Sequence, residues 1–129
     1  MAYLVEVERV FRARQGLPSP VLAARGGPRL GAGEDIEVVL RAGVSFDDEQ
    51  LTERGWYCDT DELTGRLERW THILGDGPWT VRFPFRPTFE LVARHLFHAL
   101  QPEVPQLAYV ELVDRTYGSR TRYGPRVSG

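Results

Sequence analysis

The chain has 129 residues, of which 42% are hydrophobic and 26% charged, and its formal net charge is −2. This length predicts a single domain over residues 1–129, long enough to bury a core. The nearly balanced charge gives no electrostatic case for nucleic-acid binding. No apolar run reaches the length of a membrane span, so we expect no membrane partner.

The basic and sulfur-containing side chains narrow the chemistry further. All sixteen basic residues are arginine, which excludes a Schiff-base lysine and a phosphate-loop lysine. Cys58 is the only cysteine, so no intrachain disulfide can form and we expect a cytoplasmic location. The first apolar stretch contains acids and lacks a basic region, unlike a secretory signal.

Two segments in the first third of the chain alternate between apolar and polar residues. Residues 3–15 and 34–42 both show this period of two, which predicts strands with one buried face. The intervening residues 16–33 are rich in Gly, Pro and Ala and predict a long connection. Residues 43–55 contain several turn-forming residues and predict a short turn-rich segment.

Two helices and two further strands are predicted next. Asp59 precedes Glu62 as in a capping box, and Thr88 follows a proline, so each of these residues is expected to cap a helix. Apolar residues then recur at helical spacing, with Leu63, Leu67, Trp70 and Leu74 in the first helix and Phe89, Val92, Leu96 and Ala99 or Leu100 in the second. Residues 107–115 and 119–124 predict strands, and residues 125–129 a loose tail.

The predicted order is strand-strand-helix-helix-strand-strand, with two helices on one face of an antiparallel sheet. This order is typical of an α+β sandwich. Both outer edges of such a sheet would be exposed, which favours closure by edge-to-edge assembly of copies.

Four stretches appear in the order known from one enzyme family. They are residues 11–17 (FRARQGL), 55–63 (GWYCDTDEL), 87–94 (PTFELVAR) and 110–114 (VELVD). Together they resemble the 6-pyruvoyl-tetrahydropterin synthase and 6-carboxytetrahydropterin synthase family. The resemblance implies the tunnelling fold, in which protomers join their sheets into a β-barrel, as a trimer or a dimer of trimers.

At the positions that match the family's zinc ligands, this chain has other residues. Family members bind zinc through one histidine on the first strand and two in a His-Gly-His sequence before the second. The matching positions here are Gln15 and Ala32-Gly33-Glu34. Since zinc needs three deprotonated donors and a water, we expect no metal and no other cofactor.

The catalytic residues of the family have no counterparts here either. The family's cysteine corresponds to a position near Pro28, and its Asp-His pair falls on Trp70 and Thr71, or on a shifted alignment that retains His72 alone. A histidine without an orienting carboxylate is a poor general base. We therefore assign no catalytic residue and expect the synthase reaction to be absent.

The ligand-binding residues of the family are retained in part. The family holds the pterin with a Glu at the end of the third strand, and Asp114 occupies that position, where it could accept two N–H donors of a pterin or guanine edge in a fork. An alternative pairs Asp114 with Arg115 or Arg120 as a strand-end acid. Thr88 and Glu90 match the family's Pro-Thr-x-Glu corner, although both residue types also favour a helix N-terminus.

Other polar residues fit ordinary structural roles at least as well. His95 and His98 lie one helical turn apart, but the sequence shows no third ligand for a metal. Arg120 and Arg122 alternate on one strand face, which is by default a solvated face and otherwise a contact with a phosphate or a partner subunit.

Three functions remain open at this point. The first is a non-catalytic homologue that binds a pterin- or guanine-like small molecule. The second is a metal-independent enzyme acting on such a ligand, with His72 or Glu34 as candidate groups. The third is a structural or regulatory oligomeric subunit that retains only the barrel.

Overall fold

The computed structural model describes residues 2–17, 35–51 and 58–125. Four strands are present in this part of the chain: β1 (Ala2–Ala13), β2 (Ile36–Asp47), β3 (Leu107–Asp114) and β4 (Ser119–Tyr123). Three α-helices lie between β2 and β3: α1 (Thr60–Gly75), α2 (Trp79–Arg82) and α3 (Phe89–Leu100). A single 3₁₀ turn at Asp48–Gln50 follows β2. Residues 18–33 of the predicted connection 16–33, Glu34, residues 52–55 of the predicted turn-rich segment and residues 126–129 of the predicted tail lie outside the described residues.

The strands form one antiparallel sheet in the order β1-β2-β3-β4, which confirms the α+β class. Helix α1 packs against β1 and β2, while α3 packs against β3 and β4. The helices therefore cover one face of the sheet, which we call the helix face; the other is the charged face. None of the helices in the described ranges is long and apolar enough to cross a membrane.

The core lies between the helix face and the two long helices. Alternate residues of β2 and β3 point into it, as their period of two predicts, and the helices contribute their apolar stripes. Its fully buried members include Val38, Leu40, Leu67, Leu74, Val92, Leu96, Val110 and Leu112. Leu100 rather than Ala99 completes the stripe of α3.

Both predicted helix caps are confirmed. The Asp59 carboxylate accepts hydrogen bonds from the backbone N–H groups of Asp61 (3.0 Å) and Glu62 (3.2 Å). The Thr88 hydroxyl accepts one from the N–H of Leu91 (3.2 Å). These bonds satisfy N–H groups that have no partner within the helix, which fixes where each helix begins.

Helix α2 was not predicted, because four residues are too few to show a helical period. Its first residue, Trp79, is fully buried in the core. The Trp79 indole N–H donates to the carbonyl of Leu74 (2.7 Å), and its backbone N–H donates to the carbonyl of Arg14 (2.9 Å). This tryptophan therefore ties the end of α1 to the end of β1.

The prediction that residues 43–55 form a turn-rich segment is wrong for its first part, because β2 continues to Asp47. Gly43 caused the error, since glycine usually marks a turn or weakens a strand. In the sheet it pairs with Glu6, and a Cβ at this position would lie 2.2 Å from Cε2 of Tyr109. The glycine makes room for the Tyr109 ring, and the ladder shifts register directly after it.

We predict that Gly43→Ala destabilises the protein by about 1–3 kcal/mol, because the buried Tyr109 ring must leave its place. Gly65→Ala is the matched control: Gly65 lies within α1, and a Cβ added there would have nothing within 4 Å. That change should raise stability by about 0.5–1 kcal/mol. Urea unfolding measures the free energy of unfolding of both variants. Equal changes in the two variants would contradict the packing argument.

Candidate functional site

The end of β1 meets the start of α3 through one side chain. Gln15, two residues after β1, donates from its amide nitrogen to the carbonyl of Pro87 (2.9 Å). Gly16 follows with φ +86°, and a Cβ there would lie 2.6 Å from the Thr80 hydroxyl oxygen. The left-handed backbone at this glycine and the Gln15 bond fix the path of the chain past α2.

Thr88 and Glu90 lie at the same corner, at the N-terminus of α3. Thr88 is half-buried and its hydroxyl caps the helix. Glu90 is exposed in the first turn, where a carboxylate interacts favourably with the helix dipole. Both residues therefore have a structural role, and the exposed Glu90 carboxylate remains accessible to a ligand.

Asp114 ends β3, and its carboxylate shapes the turn into β4. Its Oδ1 accepts from the backbone N–H groups of Thr116 and Tyr117, each at 3.0 Å. The arginines suggested by the sequence are bound elsewhere, Arg115 to Glu37 (3.3 Å) and Arg120 to Glu111 (3.6 Å). Because a carboxylate has about four acceptor sites, Oδ2 of Asp114 retains acceptor capacity.

The sheet brings the ends of β1 and β3 together. Phe11 pairs with Val38, and Val38 pairs with Asp114, so the three lie in one row across the sheet. Neighbouring strands lie about 4.8 Å apart, which places β1 about 10 Å from β3 in that row. Since Gln15 ties the β1 end to Pro87, the Asp114 end of the sheet and the Thr88 corner lie at the same end of the molecule. No direct bond joins Asp114 to Thr88 or Glu90 among the described residues.

A surface groove of about 580 Å³ borders the same end of β1. Its described lining residues are Phe11, Arg12, Thr71, His72, Gly75 and Asp76. His72 is exposed there, and Asp76 forms an ion pair with Arg82 (2.9 Å). Among the described residues His72 forms no hydrogen bond to Asp76 or another carboxylate, so this part of the chain gives it no orienting partner for a role as general base.

The charged face of the sheet carries a set of ion pairs that the sequence did not predict. Glu111 on β3 is fully buried and bound by Arg41 from β2 and by Arg122 from β4. Arg41 also binds Glu8 on β1 (2.9 Å). Arg122 is exposed, as the sequence predicted, but its guanidinium also binds Glu111, because the register places the two residues directly opposite each other.

Arg41 lies at the centre of this charged face. Burial alone would lower the pKa of its guanidinium, but hydrogen bonds and charges from Glu8 and Glu111 outweigh that cost and raise the pKa above its ordinary value. The arginine thus stays charged, as a buried carboxylate on the neighbouring strand requires.

The two histidines of α3 have aromatic rather than metal-binding surroundings. His95 contacts the rings of Trp70, Phe83 and Phe85 at centroid distances of 5.9, 5.4 and 5.6 Å. His98 lies 3.1 Å from the Tyr123 hydroxyl. Within the described ranges no three His, Cys, Asp or Glu residues are grouped so that they could hold a metal ion.

Comparison with known proteins adds no relative. No model of a known protein family matches the chain, and no curated protein matches it. The resemblance to the pterin synthases therefore depends on the four sequence motifs alone.

Cys58, which precedes the cap of α1, lines a small cavity of about 160 Å³ together with Glu62, Leu63 and Arg66. Burial raises the pKa of its thiol, and the nearby charges of Asp59 and Glu62 raise it further. A thiol with a raised pKa is a weak nucleophile at neutral pH. Cys58 therefore fits the structural role expected from its place in the sequence.

We predict that native Cys58 reacts more slowly with iodoacetamide at pH 8 than the same cysteine in urea-unfolded protein, because the raised pKa leaves less thiolate. The reaction rate of the native protein should keep rising at pH values where the unfolded chain has reached its plateau. Mass spectrometry of timed samples gives both rates. A native rate that equals or exceeds the unfolded rate would contradict the assignment.

Proposed function

We propose that this protein is a non-catalytic member of the 6-pyruvoyl-tetrahydropterin synthase family, built on the tunnelling fold, that binds a pterin- or guanine-like small molecule. The synthase reaction is absent, because the positions of the zinc ligands and the proton-transferring residues hold unsuitable side chains. In this proposal the binding site lies at the end of the molecule that holds Gln15, Thr88 and Asp114.

The hydrogen bond from Gln15 to Pro87 carries this proposal. It joins two of the four family motifs in space, although their residues are 72 apart in sequence. The family resemblance expects this proximity, since a first-strand metal ligand and the Pro-Thr-x-Glu corner border one pocket.

Asp114 supplies the ligand-binding acceptor in this proposal. The 2-amino-4-oxo edge of a pterin or guanine presents adjacent N–H donors, which a carboxylate accepts strongly because it is charged. Oδ1 is occupied by the turn, so Oδ2 receives the ligand. The fork expected from the sequence thus becomes a single strong hydrogen bond in this geometry.

The same proposal includes assembly into a ring of three copies, or two such rings. β1 and β4 form the outer edges of the sheet, and each strand runs antiparallel to its neighbour. In a ring of identically oriented copies, β4 therefore runs antiparallel to β1 of the next copy, so the sheet can continue without a break. Exposed Leu4 and Val10 on β1 support such a contact.

We predict that the protein binds oxidised or reduced pterins in calorimetric titration and that Asp114→Asn weakens binding by about tenfold or more. Asparagine keeps an oxygen acceptor for the turn but replaces the acceptor at Oδ2 by an N–H donor. The fold should therefore survive while the bond to the ligand is lost.

The matched control is Asp59→Asn, which changes a similar backbone-binding aspartate at the cap of α1 and should leave affinity unchanged. Zinc content is measured on the same samples. Failure of the wild type to bind any pterin or guanine compound, or equal binding by the Asp114 variant, would remove the pocket and leave the assembly as the function. Stoichiometric zinc would show that the assignment of the ligand positions is wrong.

We predict that the wild type sediments at three or six times the chain mass of 14.7 kDa. Val10→Lys should shift it towards monomer, because a lysine on an edge strand opposes strand addition. Val81→Lys, the same change at an exposed valine of α2, should have no effect. A wild type that is monomeric at all concentrations would contradict the ring.

A further inference from the structure

One row of residues on the charged face alternates in sign across all four strands. Its members, in strand order, are Glu8, Arg41, Glu111 and Arg122. Neighbours in the row are bound to one another: Glu8 to Arg41 at 2.9 Å, Arg41 to Glu111, and Glu111 to Arg122 at 3.3 Å. We call these four residues the ion row.

The inner and outer members of the ion row differ in their surroundings. Arg41 and Glu111 each lie between two opposite charges, and the Glu111 side chain is fully buried. Glu8 and Arg122 have a row neighbour on one side only, and their side chains remain 50% and 36% exposed. The row therefore ends in a carboxylate at the β1 edge and in a guanidinium at the β4 edge.

Each edge strand carries a second residue with the same charge as its member of the ion row. Glu6 lies on the same face of β1, two residues before Glu8, and accepts a hydrogen bond from the Tyr109 hydroxyl. Arg120 lies on the same face of β4, two residues before Arg122, and its side chain is 64% exposed. Each edge strand thus presents two like charges at a spacing of two residues, negative on β1 and positive on β4.

We infer that these edge charges bind one another between copies, so that the ion row continues from β4 of one copy into β1 of the next. The partner is a second copy of this chain, and the inference depends on the ring assembly proposed above. It goes beyond that assembly by naming the residues that determine which edges pair and in which register.

The two-residue spacing on both edges selects a register. In an antiparallel pair, Arg122 opposite Glu6 of the next copy places Arg120 opposite Glu8, so both arginines meet a carboxylate. Tyr123 on the helix face then lies opposite Val5, an apolar contact on the other side of the same pair. This register is displaced by two residues from the row within one chain, and closing a sheet into a barrel requires such a stagger.

The contribution of these pairs is to specificity more than to affinity. An exposed ion pair contributes about 0–1 kcal/mol, whereas like charges placed opposite each other at an interface cost several kcal/mol. The alternation therefore disfavours β1–β1 and β4–β4 contacts, which would bring carboxylates or guanidiniums together. Only the β4-to-β1 contact continues the alternation, and this head-to-tail contact is the type from which a ring is built when its rotation closes.

Charge exchange tests the inference. We expect Arg120→Glu and Glu8→Arg, each alone, to weaken assembly by about tenfold or more, because each places like charges opposite one another. The double variant, with both changes in the same chain, restores opposite charges and should recover assembly to within about threefold of wild type. Both positions are at least half exposed. Sedimentation equilibrium gives the association constants, and circular dichroism shows that each variant is folded.

Arg82→Glu is the control, since it reverses an exposed, ion-paired arginine on α2 away from the strand edges and should leave assembly unchanged. Should a reversal unfold the chain, Arg120→Gln and Glu8→Gln provide milder variants, each expected to weaken assembly by a factor of about three. Folded single variants that assemble like wild type would overturn this inference without affecting the proposed ring. A folded double variant that assembles no more strongly than the single variants would do the same.

The failure of the proposed function gives a different pattern. A monomeric wild type would overturn the ring and this inference together. Loss of pterin binding in the Asp114 titration, with assembly and charge rescue intact, would reject the pocket and leave the ion row in place.

Discussion

Glu111 is a fully buried carboxylate on the face of the sheet opposite the helices, and its charge must be compensated where it lies. Arg41 and Arg122 do this from the strands on either side. A one-residue slip of β3 would turn Glu111 into the apolar core and bring Val110 and Leu112 among the charges. Because leaving a buried charge unpaired costs several kcal/mol, this carboxylate fixes the register of three strands at once.

The side chains that pack around Glu111 connect this constraint on strand register to other residues of the charged face. The Arg122 guanidinium lies 3.8 Å from the centroid of the Tyr109 ring, and Gly43 leaves the space that this ring occupies. The proposed pocket lies at the far end of the sheet, at Asp114 and Thr88, whereas the ion row crosses its middle. The pocket and the ion row therefore depend on the same strand register but on different side chains, so either of these two can hold without the other.

Local patterns predicted most of the fold. The alternation in residues 3–15 and 107–115, the helical stripes, and the caps at Asp59 and Thr88 each depend on residues close in sequence, and the structure contains all of these elements. The end of β2 was missed because Gly43 resembles a turn residue unless the position of Tyr109 is known. The sequence correctly placed Asp114 at a strand end. Its bonds to Thr116 and Tyr117 could not be predicted, because an aspartate can accept such bonds but does not by itself determine the geometry of the turn.

The sequence by itself determined the two long helices and the four strands apart from the end of β2, which face of each is apolar, and which positions match the pterin-synthase motifs. Only the tertiary structure decided that Gln15 meets Pro87 and that Arg41 meets Glu111, pairs separated by 72 and 70 residues. The physical reason is that polarity patterns specify the face on which a side chain lies, whereas its partner depends on strand register. Register is set by the packing of all the strands together, so no single segment contains it.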